Sequence, residues 1–202
     1  IKFNHLSKLI NNKKVWCASS THYNEELICG LAHLELKKKF KNIFTIVIPR
    51  HVERTQSIKK ELQKLNLNVY THGSHVKPDK KIEVYIVDSY GKTKSIYKYC
   101  KNIFLGGSLV RHGGQNPLEA TRYGCKILHG PHVENFKEIY DYLGKLKVST
   151  KIKDHSQLSI KLDKLLSQKN NSKKIQNKLK KIGDKILNDT YNEIFKFIKN
   201  EN

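Results

Sequence analysis

The sequence predicts an α/β fold: a Rossmann-like open, mostly parallel sheet with helices on both faces. Three observations predict it. Short apolar runs of strand character alternate with stretches of helical apolar spacing over residues 13–150. The most apolar run, Ile43–Pro49 (IFTIVIP), is continuous and rich in β-branched residues, the pattern of a strand covered on both faces. The connections are short, so successive elements return across one sheet. At 202 residues the chain can build one sizeable core and is short for two. Residues 1–202 are therefore expected to form a single domain, with 156–202 as C-terminal helices packing on it.

The elements follow in order. Residues 13–19 read as a strand entering a Ser-Ser-Thr turn, and 24–40 as a helix with Leu27, Ile28, Leu31 and Leu34 at helical spacing. Asn24 is placed to cap that helix, and Glu25 and Glu26 suit its dipole. After the strand at 43–49, residues 53–66 return to helical spacing. Residues 68–73 and 82–89 read as strands, 93–100 as a short helix and 102–107 as a strand stopping at glycine. A helix is expected from Pro117, a strand over 125–131, a helix over 133–144 closed by Gly144, and a last short strand over 146–150. Residues 156–168 and 173–200 are amphipathic helices separated by a loop at 169–174. Ile175, Leu179, Ile182, Ile186 and Leu187 are expected on one apolar face of the second.

Composition narrows the function. No run approaches 18 apolar residues, so no span of a bilayer is expected. There is no secretory-type leader, and a chain that begins at Ile1 and contains no Met is expected to be a piece of a longer protein. Cys17, Cys29, Cys100 and Cys125 lie in apolar runs without C-x-x-C spacing, as reduced structural cysteines do. A net charge of +21 invites a nucleic-acid reading. However, only four of the 39 basic residues are arginine, and the lysines are spread along the whole chain. Nucleic-acid readers favour the bidentate arginine fork, so the lysines read as solvent-facing bias and no nucleic-acid partner is expected. A basic surface would still favour approach to anionic lipid.

In open parallel sheets ligands bind outside the carboxyl ends of the strands, which directs attention to the turns at 19–23, 49–54, 88–92, 106–119 and 129–135. The fourth is the richest. Gly106-Gly107 ends a strand, Gly113-Gly114 ends the loop, and Asn116-Pro117-Leu118-Glu119 starts a helix. Asn is a good cap and Pro suits the first helical position. The helix start suits phosphate. Glu119 stands where it can either close a capping box or accept hydrogen bonds from a ribose diol. Arg50 follows the most apolar strand and can clamp a phosphate or merely cap the sheet edge. Gly91, in Asp88-Ser89-Tyr90-Gly91-Lys92, can lay backbone against a base or make an ordinary connection. His72/His75 and His129/His132 lack a third ligand at regular spacing, so no metal site is expected.

Taken together, "WCASSTHYNEE", "PRHVER", "DSYGK", "GGSLVRHGGQNPLEA" and "GPHVENFKEI" closely resemble the C-terminal half of 3-deoxy-D-manno-octulosonic acid (Kdo) transferases, glycosyltransferase family 30. The matches run in family order over residues 16–139. The resemblance implies a GT-B glycosyltransferase, moving Kdo from CMP-Kdo to lipid A precursor in lipopolysaccharide synthesis, with inversion and without metal or other cofactor. It implies CMP contacts by Pro49, Arg50, Tyr90, Gly91, Lys92, Asn116, Pro117, Leu118 and Glu119. It places the catalytic carboxylate and a membrane-anchoring segment in an N-terminal acceptor domain outside these residues, so no catalytic residue is expected here. It implies work at the cytoplasmic face of the bacterial inner membrane, the present chain itself being soluble. The chain departs from the family's usual Glu at Lys92, His at Gln115, Gly at Asn24 and Pro at Val52. A donor domain for another nucleotide sugar such as a UDP-sugar, and a basic nucleic-acid-binding module, are the alternatives.

Overall fold

The computed structural model describes residues 4–76, 78–79, 81–169 and 171–200; the ends of the expected 1–202 domain and residue 170 of the 169–174 loop lie outside them. Its strands are β1 (Lys14–Thr21), β2 (Ile43–Pro49), β3 (Val69–Thr71), β4 (Val84–Ile86), β5 (Asn102–Leu105), β6 (Lys126–His129) and β7 (Ser149–Lys151). Its helices are α1 (Asn4–Ile10), α2 (Glu25–Lys39), α3 (Thr55–Lys64), α4 (Thr93–Tyr99), α5 (Leu118–Arg122), α6 (Lys137–Lys145), α7 (His155–Ser167) and α8 (Ser172–Asn200). All seven strands are parallel, in the order β3-β4-β2-β1-β5-β6-β7. From β1 the chain moves one way to β2 and the strands beyond it. It then returns to lay β5 on the other side of β1. The direction of winding therefore reverses between β1 and β5, and a crevice opens at their carboxyl ends.

Both faces are covered, as the continuous apolar run at β2 requires: all seven of its residues are buried. Alternation along the strands divides the core. Cys17, Ile103, Leu105 and Ile127 point to the side held by Leu6 of α1, Ile96 and Tyr97 of α4, Ala120 of α5 and Tyr140 of α6. Trp16, Ala18, Phe104 and Leu128 point the other way, to Cys29, Ala32 and Leu36 of α2 and to Leu158, Leu162 and Leu166 of α7. Val47, Val84 and Ile86 pack against Ile58 and Leu62 of α3. The four cysteines are free and buried, small apolar fillers as their sequence neighbourhood predicts.

Several helix ends depart from expectation. Asn24 has φ 70° and makes no side-chain cap bond to α2, so it turns the chain instead of capping it. Gly144 lies inside α6. The helix is ended by Lys147 at φ 57°, with Lys147 N–H bonding Gly144 O and Val148 N–H bonding Leu143 O, a Schellman arrangement without glycine. The strands at 68–73 and 82–89 shorten to three residues each. In α8, Ile175 is buried on Leu143 and Val148, but Ile186 and Leu187 are about 60% exposed, as are Tyr191, Ile194 and Phe195 to a similar degree. The expected apolar face is thus covered at its start only. Among the described residues no helix is long and apolar enough to cross a membrane.

Not all lysines merely fill the surface. Lys13 donates to Ile82 O, Lys14 to Leu166 O, and Lys101 to both Tyr97 O and Tyr123 O. Lys14 and Lys101 thereby satisfy carbonyls that the ends of α7, α4 and α5 leave free, and Lys13 holds the chain just before β4. All three, with Lys126 and Lys169, line a hollow of about 260 Å³ at the start of β5, beside Asn102. It lies at the amino end of the sheet, away from the crevice.

An ion pair ties α2 to the start of β4. Glu83 lies beside the buried His33 imidazole, pairs with Lys37 and accepts the Asn68 N–H. These partners hold its carboxyl down, at about 2. A depressed carboxylate stabilises above its unfolded-state value and loses that contribution as pH falls through the folded one. Glu83→Gln is therefore expected to lower unfolding free energy by about 1.5–3 kcal/mol at pH 7, the worth of charged hydrogen bonds. Denaturant titrations should show the gap between variant and parent shrinking from pH 4.5 towards pH 2.

Candidate functional site

The crevice is assembled around a carboxylate. Glu25, the first residue of α2, is fully buried. Its Oε2 accepts the N–H groups of His22 (2.9 Å) and Gly107 (2.7 Å), and its Oε1 those of Ser108 (3.1 Å) and Leu109 (2.9 Å). Burial pushes its ionisation above the ordinary carboxylate range, and these four N–H groups pull against that shift. The acid expected only to complement the α2 dipole thus joins the turn after β1 to the loop after β5, across the reversal point.

The glycine pair makes that junction sterically accessible. A Cβ on Gly106 would stand 2.5 Å from Ser20 O and 2.6 Å from Thr21 Cα, so only glycine lets the end of β5 press against the end of β1. Gly107 follows at φ +65°. Beyond it the loop is tied down by Ser108, whose hydroxyl donates to Leu105 O and accepts from Gly130 N–H, and by Gly114 N–H on Gly107 O. Glu26, also buried, takes both Arg54 guanidinium nitrogens at 3.0 Å, and Arg54 lies over the Tyr23 ring. Arg54 is thereby committed to structure, whereas Arg50, whose N–H bonds Thr21 O, carries an exposed side chain.

Beside this junction a hollow of about 520 Å³ is lined by Ser20, Thr93, Lys94, Gln115, Glu119 and Arg122, with Asn116, Leu118, Tyr97, Leu105 and Tyr123 completing the wall. That volume suits a small organic ligand. Asn116 Oδ1 accepts the Leu118 N–H at 2.9 Å, so it caps the turn as the sequence predicts. The helix begins at Leu118, one residue after the expected Pro117, and has only five residues, too few for a substantial dipole. Glu119 faces α4: Thr93 Oγ1 donates to it at 3.4 Å and Lys94 Nζ lies 3.9 Å away. Its partners lie across the hollow, where a capping box would have joined it to the Asn116 N–H.

The sequence-predicted residues fall into two groups. Asn116, Leu118 and Glu119 line the hollow. Pro49 ends the next strand in register with Thr21, Arg50 follows it, and the Tyr90–Gly91–Lys92 turn leads directly into Thr93 and Lys94. Gly91 has φ +75° and Tyr90 is exposed. Pro117 is buried behind the capped turn. Of the histidine pairs, His72 bonds Tyr85 Oη and His129 bonds Gly130 O against the Tyr140 ring. Both are packed structural imidazoles. Among the described residues, no group of three His, Cys, Asp or Glu side chains is disposed to hold a metal ion.

Sequence reasoning gave Glu25 only the dipole of α2 to complement, and gave His22, at the end of its strand, no role of its own. His22 ends the β1 turn with its ring stacked on His112 at 4.1 Å and edge-on to His51 at 5.9 Å. Burial, helped by His112, His51, Arg50 and Arg54, holds its ionisation down at about 4. Its neighbours come from segments 29 and 90 residues away, so local pattern carried no sign of them.

No family model matches the chain. It is 33% identical over 132 residues to the 3-deoxy-D-manno-octulosonic acid transferase of Haemophilus influenzae, covering 65% of this chain and 31% of that protein. It is 32% identical over 202 residues to the transferase of the same description from Rickettsia conorii, covering 96% of this chain and 43% of that protein. The chain thus spans less than half the length of these curated relatives. Its fold superimposes on the crystal structure of the C-terminal CMP-Kdo binding domain of WaaA from Acinetobacter baumannii, with TM-score 0.76 and 24% identity, covering 90% of this chain and 98% of that one.

The clamp gives a stability test. Glu25→Gln replaces one acceptor oxygen by an amide donor facing two buried N–H groups. Each orphaned group costs about 1–3 kcal/mol, so a loss of about 2–6 kcal/mol is expected in chemical denaturation.

Proposed function

We infer that this chain, which belongs to the 3-deoxy-D-manno-octulosonic acid transferase family, is the donor-binding half of a glycosyltransferase that moves Kdo from CMP-Kdo to lipid A precursor. One observation carries the reading: the hollow at the reversal point brings Glu119, Lys94, Arg122 and the Asn116-capped turn together at the carboxyl ends of the strands. Glu119 accepts from the two ribose hydroxyls, displacing its weak contact with Thr93. Lys94, Arg122 and Arg50 supply the positive charge that a phosphate requires, and the backbone around Pro49, Tyr90, Gly91, Lys92, Pro117 and Leu118 shapes the nucleoside wall. Side-chain cations carry the phosphate, because α5 is too short to do so by its dipole.

Transfer proceeds with inversion: an acceptor hydroxyl attacks the anomeric carbon as the bond to CMP breaks. That hydroxyl must lose its proton to a base within hydrogen-bond reach. Glu119 is engaged by ribose, Glu25 by four backbone N–H groups and Glu26 by Arg54. The base therefore belongs to the acceptor-binding half of the enzyme, which works at the cytoplasmic face of the inner membrane. Leaving-group charge is neutralised by the cationic side chains, without a metal ion or other cofactor.

Titration calorimetry should show CMP binding more tightly than UDP, with affinity unchanged by EDTA. Arg50→Ala and Glu119→Ala should each weaken CMP by about tenfold to a hundredfold, the worth of one charge-assisted hydrogen bond. Unchanged affinity in both variants would overturn the assignment. In a separate assay with CMP-Kdo and lipid A precursor, this chain alone should form no Kdo-lipid product.

A further inference from the structure

The hollow of about 260 Å³ at the amino end of the sheet takes no part in the crevice. Lys13, Lys14, Lys101, Lys126 and Lys169 line it, and among the described residues no Asp or Glu does. The fold brings these lysines together from four separate segments. Lys13 and Lys14 stand at the start of β1, Lys101 precedes β5, Lys126 opens β6 and Lys169 follows α7. The first four are half-buried, where a charge acts more strongly and is screened less than on an open surface. Asn102, Gln168 and Asn171 add neutral donors to the wall.

Helix ends account for only part of this charge. Tyr99 at the end of α4, Gly124 just past α5 and Leu166 in the last turn of α7 all line the hollow. A helix C-terminus carries about half a negative charge, so three ends bring roughly −1.5 at most. Five ammonium groups outweigh that and leave an excess of positive charge. Two of them are held in place by those same ends. Lys14 Nζ donates to Leu166 O at 2.7 Å, and Lys101 Nζ to Tyr97 O at 2.7 Å and Tyr123 O at 2.9 Å. An ammonium group has three N–H donors, so Lys14 keeps two and Lys101 one for a further acceptor. Their side-chain freedom was lost on folding, and a ligand need not order them again. Burial holds Lys13 and Lys126 below the ordinary lysine range, with Lys178 adding to the effect at Lys126 and Glu83 opposing it at Lys13. An anion in the hollow offsets that desolvation.

We propose that this hollow is a second anion site, taking a compact phosphoanion: free phosphate or pyrophosphate, or the phosphomonoester headgroup of a lipid. Lysine suits phosphate as a point charge, without the planar fork by which arginine pairs with a carboxylate. The hollow has half the volume of the one in the crevice and offers no carboxylate to a ribose diol, so a nucleotide goes to the crevice and a compact anion comes here. The site is independent of the nucleotide reading. An anion held there bridges four segments that only the folded chain brings together, so its binding also raises the stability of the fold.

Amide NMR spectra of the chain titrated with pyrophosphate test the site. Saturable shift changes are expected at residues 13–15, 101–102, 124–126 and 165–169, and they should persist with CMP present. Lys101→Gln, and separately Lys126→Gln combined with Lys169→Gln, should each weaken binding by at least about tenfold. The double variant leaves both helix-end anchors in place, and the ligand-free spectrum reports whether each variant is folded. Lys60→Gln combined with Lys64→Gln removes the same charge from exposed positions of α3 and should stay within about twofold. Equal weakening in that control, or shifts that spread over the surface without saturating, overturns the site by leaving only the general pull of a chain of net charge +21. Shifts confined to residues 115–119 overturn it too. Phosphatidylcholine vesicles with and without phosphatidic acid separate the two sources. Binding that needs phosphatidic acid, falls in the hollow variants and survives in the α3 control assigns the lipid headgroup. Saturable pyrophosphate binding without such vesicle binding assigns the free anion. If neither is seen, the site falls and the nucleotide reading stands.

Discussion

The buried carboxylate of Glu25 is the contact on which the site depends. A parallel sheet that reverses its winding leaves a gap between two loops that share no ladder hydrogen bonds. Here one side chain spans it, gathering the N–H groups of His22, Gly107, Ser108 and Leu109. Buried backbone donors must be paired, and no water can serve them at full burial. The requirement propagates. Gly106 must lack a Cβ, Ser108 must tie the loop to Gly130, and the chain must turn at Asn24 to bring Glu25 round. With the loops fixed, Gln115, Asn116 and Glu119 meet Thr93 and Lys94 across the hollow.

Charge at this crevice is sorted by burial. Glu26 and Arg54 are consumed by each other, and Glu25 by backbone. Glu119 and Arg50 keep access to solvent, the first held by a long contact and a distant lysine. A polar group with weak partners is the one that a ligand can recruit at little cost. At the opposite end of the sheet the lysines are tied to carbonyls, which orders their side chains.

Much of this was legible in the sequence. The apolar run at β2 could only be a strand covered on both faces, and the alternation of elements required a parallel sheet. Asn116 and Pro117 marked a capped turn because their chemistry is local. Features set by contacts across the chain were not legible. Glu25 looks like any acid at a helix start until Gly107, 82 residues later, is brought against it. The two glycine pairs were the available signal, since close approach of backbone needs a partner strand. His22 gave no local sign, because its stacking partner lies on a different loop. Asn24 and Gly144 misled for a related reason: left-handed backbone at Asn24 and Lys147 was accepted where tertiary contacts demanded the turn. The lower half of α8 carries apolar residues at the expected spacing, but spacing alone does not say where the covering surface ends.

The central claim is that a cytidine nucleotide sits at the reversal point and not in the lysine-lined hollow at the other end of the sheet. Amide NMR spectra of the chain titrated with CMP test it most directly. The account predicts shift changes concentrated at residues 20–22, 50, 91–94 and 115–119. Changes concentrated instead around Lys13, Lys14, Lys101 and Lys126 would contradict it.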